Sequence, residues 1–274
     1  MSADLAGTAI VTPRGPLYMI SQLGYGSFGS VYKATAGTMT LAVKVMKNQT
    51  ESDEEDIRDE LEVLAILRSE IHEHIIKFHG HMLIEENALL FFDLAPLGSL
   101  ERLVLSTDEE RLPVGHSWLL FEQILDGIAF LHARGVFHRD IKPQNILMDS
   151  DSHVRIADFG LSVVDASKVP VFSEFLGTPP FVPPEFYTDG FYRADHGDIW
   201  AAVLTIVYAV FGKLPWDHSI TEDPEFEEFT QAIYDKYYWE RFEHSKDLVV
   251  GYLNPDARKR KIPALYKKAL LMYT

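Results

Sequence analysis

Strand-type patterns fill the first ninety-odd residues of this chain, and helix-type patterns dominate the remainder. That segregation, more than any single motif, limits the architectures open to it and predicts an α+β fold. Between Leu17 and Lys47 the stretches YMISQLGYG, SVYKATAG and TMTLAVKVMK cluster β-branched and aromatic residues between glycines, and Gly37-Thr38 reads as a hairpin turn. Asp53 to Leu67 reads as a helix with Leu61, Leu64 and Leu67 on one stripe, followed by the strands IIKFHGHML and NALLFFDL. APLGSL, Ala95 to Leu100, breaks the pattern. Leu119 to Gly135 then reads as an amphipathic helix with glycine just past its end, and the last third, from Ile199, as helical. The expected organisation is an extension over 1–16, a small β-rich lobe over 17–94 and a larger helical lobe over 95–274. Ligands favour the junction of two such lobes.

Composition narrows the chemistry. With no cysteine among the 274 residues, disulfides, thiolate catalysis and Cys-ligated zinc are excluded. A net charge of −16 argues against nucleic-acid binding through a basic face. Glu51 to Glu62 holds eight acidic residues against one arginine, and Glu222 to Glu228 is a second acidic cluster. Both suit solvated helix N-termini. The longest apolar run, Ile199 to Gly212, is shorter than the ~20 residues a bilayer requires, so it reads as a buried helix and no membrane span is expected. The opening residues carry no signal-peptide pattern. A cytoplasmic setting is expected, with a nuclear one left open.

The run GYGSFGSV, Gly24 to Val31, has the G-x-G-x-x-G spacing that brings backbone amides close to phosphates. A dinucleotide-binding loop requires a helix at the third glycine. Here Gly29 leads into a strand, so the loop joins two antiparallel strands as a flap. Lys44, in LAVKV, shares a strand face with Ala42, while Leu41, Val43 and Val45 share the other. A helical carboxylate downstream would orient this lysine as a phosphate clamp. Glu60, on the stripe with Val63, Leu64 and Leu67, is preferred over the competing Glu62. The most specific segment is VFHRDIKPQNILMD, Val136 to Asp149, followed by Asp158-Phe159-Gly160 at a strand end.

Together these motifs resemble the eukaryotic protein kinase family, serine/threonine type. The resemblance runs from about Leu17 to Arg258 and includes GTPPFVPPE, the DIW of Asp198 to Trp200, and NPDAR. It implies a bilobal kinase fold that transfers the γ-phosphate of ATP, with Mg2+, to a Ser/Thr hydroxyl of a protein substrate. Phosphoryl transfer leaves the protein mainly positioning and charge neutralisation. By resemblance, Asp140 accepts or orients the hydroxyl proton, Lys142 sits near the γ-phosphate, and Lys44 with Glu60 holds the α- and β-phosphates. Asn145 and Asp158 hold the metal. Gly24, Gly26, Ser27, Phe28 and Gly29 form the flap, with Phe28 at its tip. Val31, Ala42 and Leu147 sandwich adenine, Asp93 and Ala95 offer hinge backbone groups, and Phe92 is the gatekeeper. Lys142 with Thr178 points to serine and threonine rather than tyrosine. Glu185 and Arg258 are expected to form a buried ion pair, and Asp198 to hold the catalytic loop.

Several positions depart from the family pattern. Glu174 stands where a phosphothreonine is usual. Two readings stand for it: a carboxylate pairing with Arg139, or an exposed loop residue beside Ser173 as the phosphosite. Pro183 replaces the alanine of APE, and Ala201 and Val203 replace serine and glycine. Gln144 and Ser99 lack the acids that arginine-directed kinases use. HEHIIKFHGH, His72 to His81, is read as surface or packed histidines rather than a zinc site. The rival functions are a pseudokinase-type binding or scaffolding module and a small-molecule phosphotransferase. The chain ends soon after the last kinase helix, so regulation is expected from a protein partner or from parts of a longer protein.

Overall fold

The computed structural model describes residues 4–13, 15–26, 29–167, 171–173, 176–220, 223, 226–227, 241–242 and 245–273. The chain divides into two compact units, Met1–His72 with Ile76–Pro96, and Glu73–Ile75 with Leu97–Thr274.

The first unit is one antiparallel sheet and one helix. Its strands are β1 (Ala9–Thr12), β2 (Gly15–Gly26), β3 (Gly29–Ala36), β4 (Met39–Lys47), β5 (Phe78–Ile84) and β6 (Asn87–Asp93), in the order β1-β2-β3-β4-β6-β5. The β3–β4 turn falls at Gly37 and Thr38, with Ala36 opposite Met39. Period-2 alternation puts Leu17, Met19, Tyr32, Ala34, Leu41, Val43 and Leu89 into one buried cluster. Leu5, Ala6 and Ile10 pack onto that cluster, and the Leu5 amide donates to the Tyr32 hydroxyl at 3.3 Å. Residues expected as an extension thus supply a strand and part of this core.

Helix α1 (Glu51–Ser69) runs two residues further at each end than its apolar stripe indicates. The added first turn comes from a capping box. The Asp53 amide donates to the Thr50 hydroxyl, and the Thr50 amide donates to the Asp53 carboxylate at 2.9 Å. Donation from the Gln49 amide, with the Thr50 contacts, holds the Asp53 carboxyl below its ordinary range. Ile57, Glu60, Val63, Leu64 and Leu67 form the buried stripe.

Strand β5 begins at Phe78, not at Ile75 as the apolar run suggests. Residues 73–75 belong to the second unit instead. The His74 carbonyl accepts from the Ile156 amide at 2.8 Å, and Ile75 bridges Ile156. That unit contains α2 (Leu100–Leu105), α3 (Val114–His132), α4 (Pro184–Asp189), α5 (Ala194–Phe211), α6 (Lys246–Tyr252) and α7 (Ala264–Tyr273). Four two-residue strands, β7 (Val136–Phe137), β10 (Val163–Val164), β11 (Val171–Phe172) and β12 (Tyr192–Arg193), and the hairpin β8 (Ile146–Ser150) and β9 (His153–Ile156) complete it. Helix α3 starts five residues before the expected Leu119 and packs against α5, α7 and β9. Ile124, Leu125, Ile128, Leu131, Trp200, Leu204 and Val207 are its fully buried core. Helix α5 is long and apolar enough to cross a membrane, yet 78% of it is buried within the unit, which marks a core helix.

One glycine in the flap is required by the sheet itself. Gly29 has φ +137°, and a Cβ there would fall on the Val45 carbonyl oxygen. A Cβ on Gly26 meets nothing within 4 Å. Gly29→Ala should cost about 1–3 kcal/mol of stability, and Gly26→Ala should leave thermal unfolding unchanged. Equal melting losses in both variants would overturn this reading of the loop.

Candidate active site

In the first unit, Gly24 and Gly26 end β2 and Gly29 starts β3, with Gly26 opposite Gly29. Ser27 and Phe28 lie outside the described residues. Val31 faces Lys44 across β3–β4, and Ala42 faces Phe92 across β4–β6. Lys44 leaves the sheet face opposite Leu41 and Val43 and meets α1. Its ammonium donates to both Glu60 carboxylate oxygens at 2.8 Å, and the two residues are only 6% and 1% exposed. Glu62, turned to another side of the helix by the helical period, is exposed. Asp93 ends β6. Its amide donates to the Lys77 carbonyl at 3.0 Å, and its carboxylate meets His79 Nε2 at 2.6 Å. Ala95 is buried two residues later.

In the second unit, the loop from His138 to Asn145 gathers the other polar residues. Asp140 Oδ2 is 2.7 Å from the Lys142 ammonium and accepts from Asn145 Nδ2 at 3.0 Å. Its Oδ1 accepts from the Thr178 hydroxyl at 2.9 Å, and Lys142 donates to the same Thr178 oxygen at 2.9 Å. An aliphatic alcohol is therefore already hydrogen-bonded to the Asp140 carboxylate. Asp158 follows β9, is exposed, and has φ +65°. Leu147, on β8, is half-buried and bridges Ser99. Gln144 donates to the Glu101 carboxylate at 2.7 Å, so an acid stands beside that position after all.

The loop is held from beneath. Asp198, on α5, is 1% exposed and accepts from the His138 amide at 2.9 Å and the Arg139 amide at 2.8 Å. Arg139 itself has φ +64°, a conformation this anchoring sustains. Burial alone would raise the Asp198 carboxyl, but the contacts of His132 and His138 outweigh it and hold the carboxyl below its ordinary range. The Arg139 guanidinium donates to the Leu161 carbonyl at 2.8 Å and lies 4.9 Å over the Phe172 ring. Glu174, its expected partner, lies outside the described residues. Ser173 is exposed.

The expected Glu185–Arg258 pair is corrected. Glu185 is bound by Arg260, whose Nη1 and Nη2 donate to the two carboxylate oxygens at 2.8 and 2.6 Å. Arg258 is 90% exposed at its side chain and forks onto Asp256, whose carboxyl it pulls down to about 2. Nothing in NPDARKRK distinguishes the two arginines locally; the turn at Asp256–Lys259 decides which one points inward. Among the described residues no group of three His, Cys, Asp or Glu has metal-site geometry. His74 is packed, with Nδ1 against the Val154 carbonyl at 3.1 Å.

The sequence pattern of the protein kinase domain matches residues 18–267. The chain belongs to the protein kinase family. Among this kinase's relatives, CBL-interacting protein kinase 4 of Oryza sativa subsp. japonica is 31% identical over 209 residues, 73% of this chain and 45% of the relative. CBL-interacting serine/threonine-protein kinase 1 of Arabidopsis thaliana is 30% identical over 202 residues, 71% of this chain and 44% of the relative. Human NUAK family SNF1-like kinase 1 is 31% identical over 200 residues, 71% of this chain and 29% of the relative. The kinase spans less than half the length of each of these relatives. Its fold, a β-sheet unit with one helix followed by a helical unit, is that of the family.

Proposed function

We propose that this kinase transfers the γ-phosphate of ATP to serine or threonine hydroxyls of protein substrates. The observation that carries this reading is the Asp140 carboxylate, ringed by Lys142, Asn145 and the hydroxyl of Thr178. The Arabidopsis relative, a serine/threonine-protein kinase by name, supports it.

In this reading a substrate hydroxyl approaches Asp140 as the Thr178 hydroxyl does. Its oxygen forms the new bond to the γ-phosphorus while the bond to the ADP oxygen breaks. The hydroxyl proton passes to the Asp140 carboxylate. Lys142 offsets charge on the transferring group. Lys44, fixed by Glu60, holds the α- and β-phosphates. We assign Val31, Ala42 and Leu147 to the adenine ring, with the Asp93 and Ala95 backbone groups on its edge.

Magnesium suits the donors present. The Asn145 amide nitrogen is committed to Asp140, which leaves its carbonyl oxygen, and Asp158 adds an exposed carboxylate. Both are hard oxygen donors. Bound there, the ion would neutralise phosphate charge. The names of the CBL-interacting relatives support a regulatory protein partner, and the need for ATP suits a cytoplasmic setting.

The test is phosphotransfer from labelled ATP to a mixed protein substrate, followed by phosphoamino-acid analysis. Phosphoserine and phosphothreonine are expected, and phosphotyrosine alone would refute the assignment. In the same assay Lys44→Met should lower kcat/KM for ATP about 10–100-fold, the scale of a lost charge-assisted contact of ~1.5–3 kcal/mol.

A further inference from the structure

A chain of hydrogen bonds joins the C-terminal helix to the catalytic loop. The Tyr266 hydroxyl, on α7, lies 2.7 Å from His132 Nδ1, at the end of α3. His132 Nε2 lies 2.9 Å from Asp198 Oδ2. That carboxylate in turn holds the His138 and Arg139 amides. Tyr266, the His132 side chain and Asp198 are 6%, 3% and 1% exposed, so water does not substitute for any partner.

We propose that Tyr266 is a positioning residue for phosphotransfer, acting through the orientation of the His132 ring. The inference rests on the kinase reading above. Proton bookkeeping admits one arrangement for a neutral imidazole in this setting. Asp198 is an ionised acceptor, so Nε2 carries the hydrogen and donates to it. Nδ1 is then the lone-pair nitrogen and accepts from the Tyr266 hydroxyl. The phenol's proton is retained, because burial, then the Asp195 and Asp198 charges, push its ionisation well above the ordinary tyrosine range. The Phe137 ring, 4.9 Å away, and the edge-on Tyr266 ring, 5.6 Å away, fix the imidazole plane.

Without the hydroxyl, Nδ1 is a buried acceptor with no donor. The ring is then held at one nitrogen only, and the N–H it donates to Asp198 loses its fixed direction. The loop amides that place Asp140 lose definition. The link spans 134 residues of sequence between Tyr266 and His132, which no motif spacing reveals.

Tyr273 supplies the control. It sits on the same helix, and its hydroxyl bonds the Asp126 carboxylate at 3.0 and 3.2 Å, away from the loop. Purified wild type, Tyr266→Phe and Tyr273→Phe are compared in steady-state phosphotransfer, ring-nitrogen NMR of His132 and amide exchange. Tyr266→Phe should lower kcat on the order of tenfold with KM for ATP unchanged. The His132 Nε2–H proton, still facing Asp198, should exchange about tenfold faster, as should the His138 and Arg139 amides. Tyr273→Phe should leave all three within twofold. Unchanged Nε2–H exchange and loop exchange in Tyr266→Phe, or equal losses in Tyr273→Phe, overturn the proposal. Both NMR readouts hold whether or not wild type transfers phosphate, so a failure of the kinase reading is seen separately, as an inactive wild type.

Discussion

Asp140→Asn is expected to lower phosphotransfer by about 10²–10⁴-fold, the range that proton transfer to a positioned side chain contributes. The substitution keeps the side chain's size and leaves an oxygen for the Thr178 hydroxyl. It removes the negative charge that Lys142 meets at 2.7 Å and the basicity needed to accept a hydroxyl proton. It also sets a second amide donor against Asn145 Nδ2, where the carboxylate oxygen accepted at 3.0 Å. Single-turnover transfer from labelled ATP at saturating nucleotide reads the chemical step directly. ATP affinity, measured separately by titration, should change little, because no nucleotide contact is assigned to Asp140. Equal transfer by variant and wild type would remove Asp140 from the chemistry. Equal absence of transfer would favour a binding or scaffolding module.

Arg260→Ala should destabilise the kinase by about 3–5 kcal/mol, the cost of leaving one member of a buried ion pair alone. Glu185 would keep its charge inside the fold after losing both guanidinium donors. The Asn254 carbonyl would lose its donor, and Trp200 the cation 4.5 Å above its ring. For a domain of this size that corresponds to a melting shift of roughly 6–20 °C. Arg258→Ala, two positions earlier and exposed, should leave the melting temperature unchanged. Trp200 stacks on Trp216 at 6.0 Å, so tryptophan emission follows the transition in both variants. The reverse order of effects would restore the pairing that sequence alone suggests.

The legible parts of this site share a physical property: each is specified within a few residues. The strand after Gly29 is visible in its β-branched and aromatic content, and it separates a flap from a dinucleotide loop. Glu60 can be told from Glu62 because the helical period puts it with Val63, Leu64 and Leu67, and the structure buries the same stripe. Asp140, Lys142 and Asn145 are close in sequence and close in space. The features that escaped depend on where distant segments land. Ala9–Thr12 is too short to stand out as a strand, and becomes one because β2 offers an open edge. Ile75 looks like a strand start, but the 73–75 segment is claimed by β9. Arg260 rather than Arg258 reaches Glu185 because a turn intervenes, with the Arg260 amide bonded to the Asp256 carbonyl at 3.1 Å. The histidine at the end of α3 carries no motif at all; its meaning lies in two partners from other helices.

The strand order of the first unit bears on how the protein is made. Every pairing from β1 to β4 joins consecutive strands, and β6 returns to β4 after a single helix and β5. Such local pairings close short loops and assemble quickly. All of this unit's residues precede Leu97. A ribosome adding ~5–20 residues per second would thus release the complete first-unit sheet before Asp140 has been translated. The α3–α5–α7 helices, tied together by contacts across the remaining chain, must await the C-terminal residues. Pulse-labelled nascent chains arrested near residue 140 should already resist protease over the first unit.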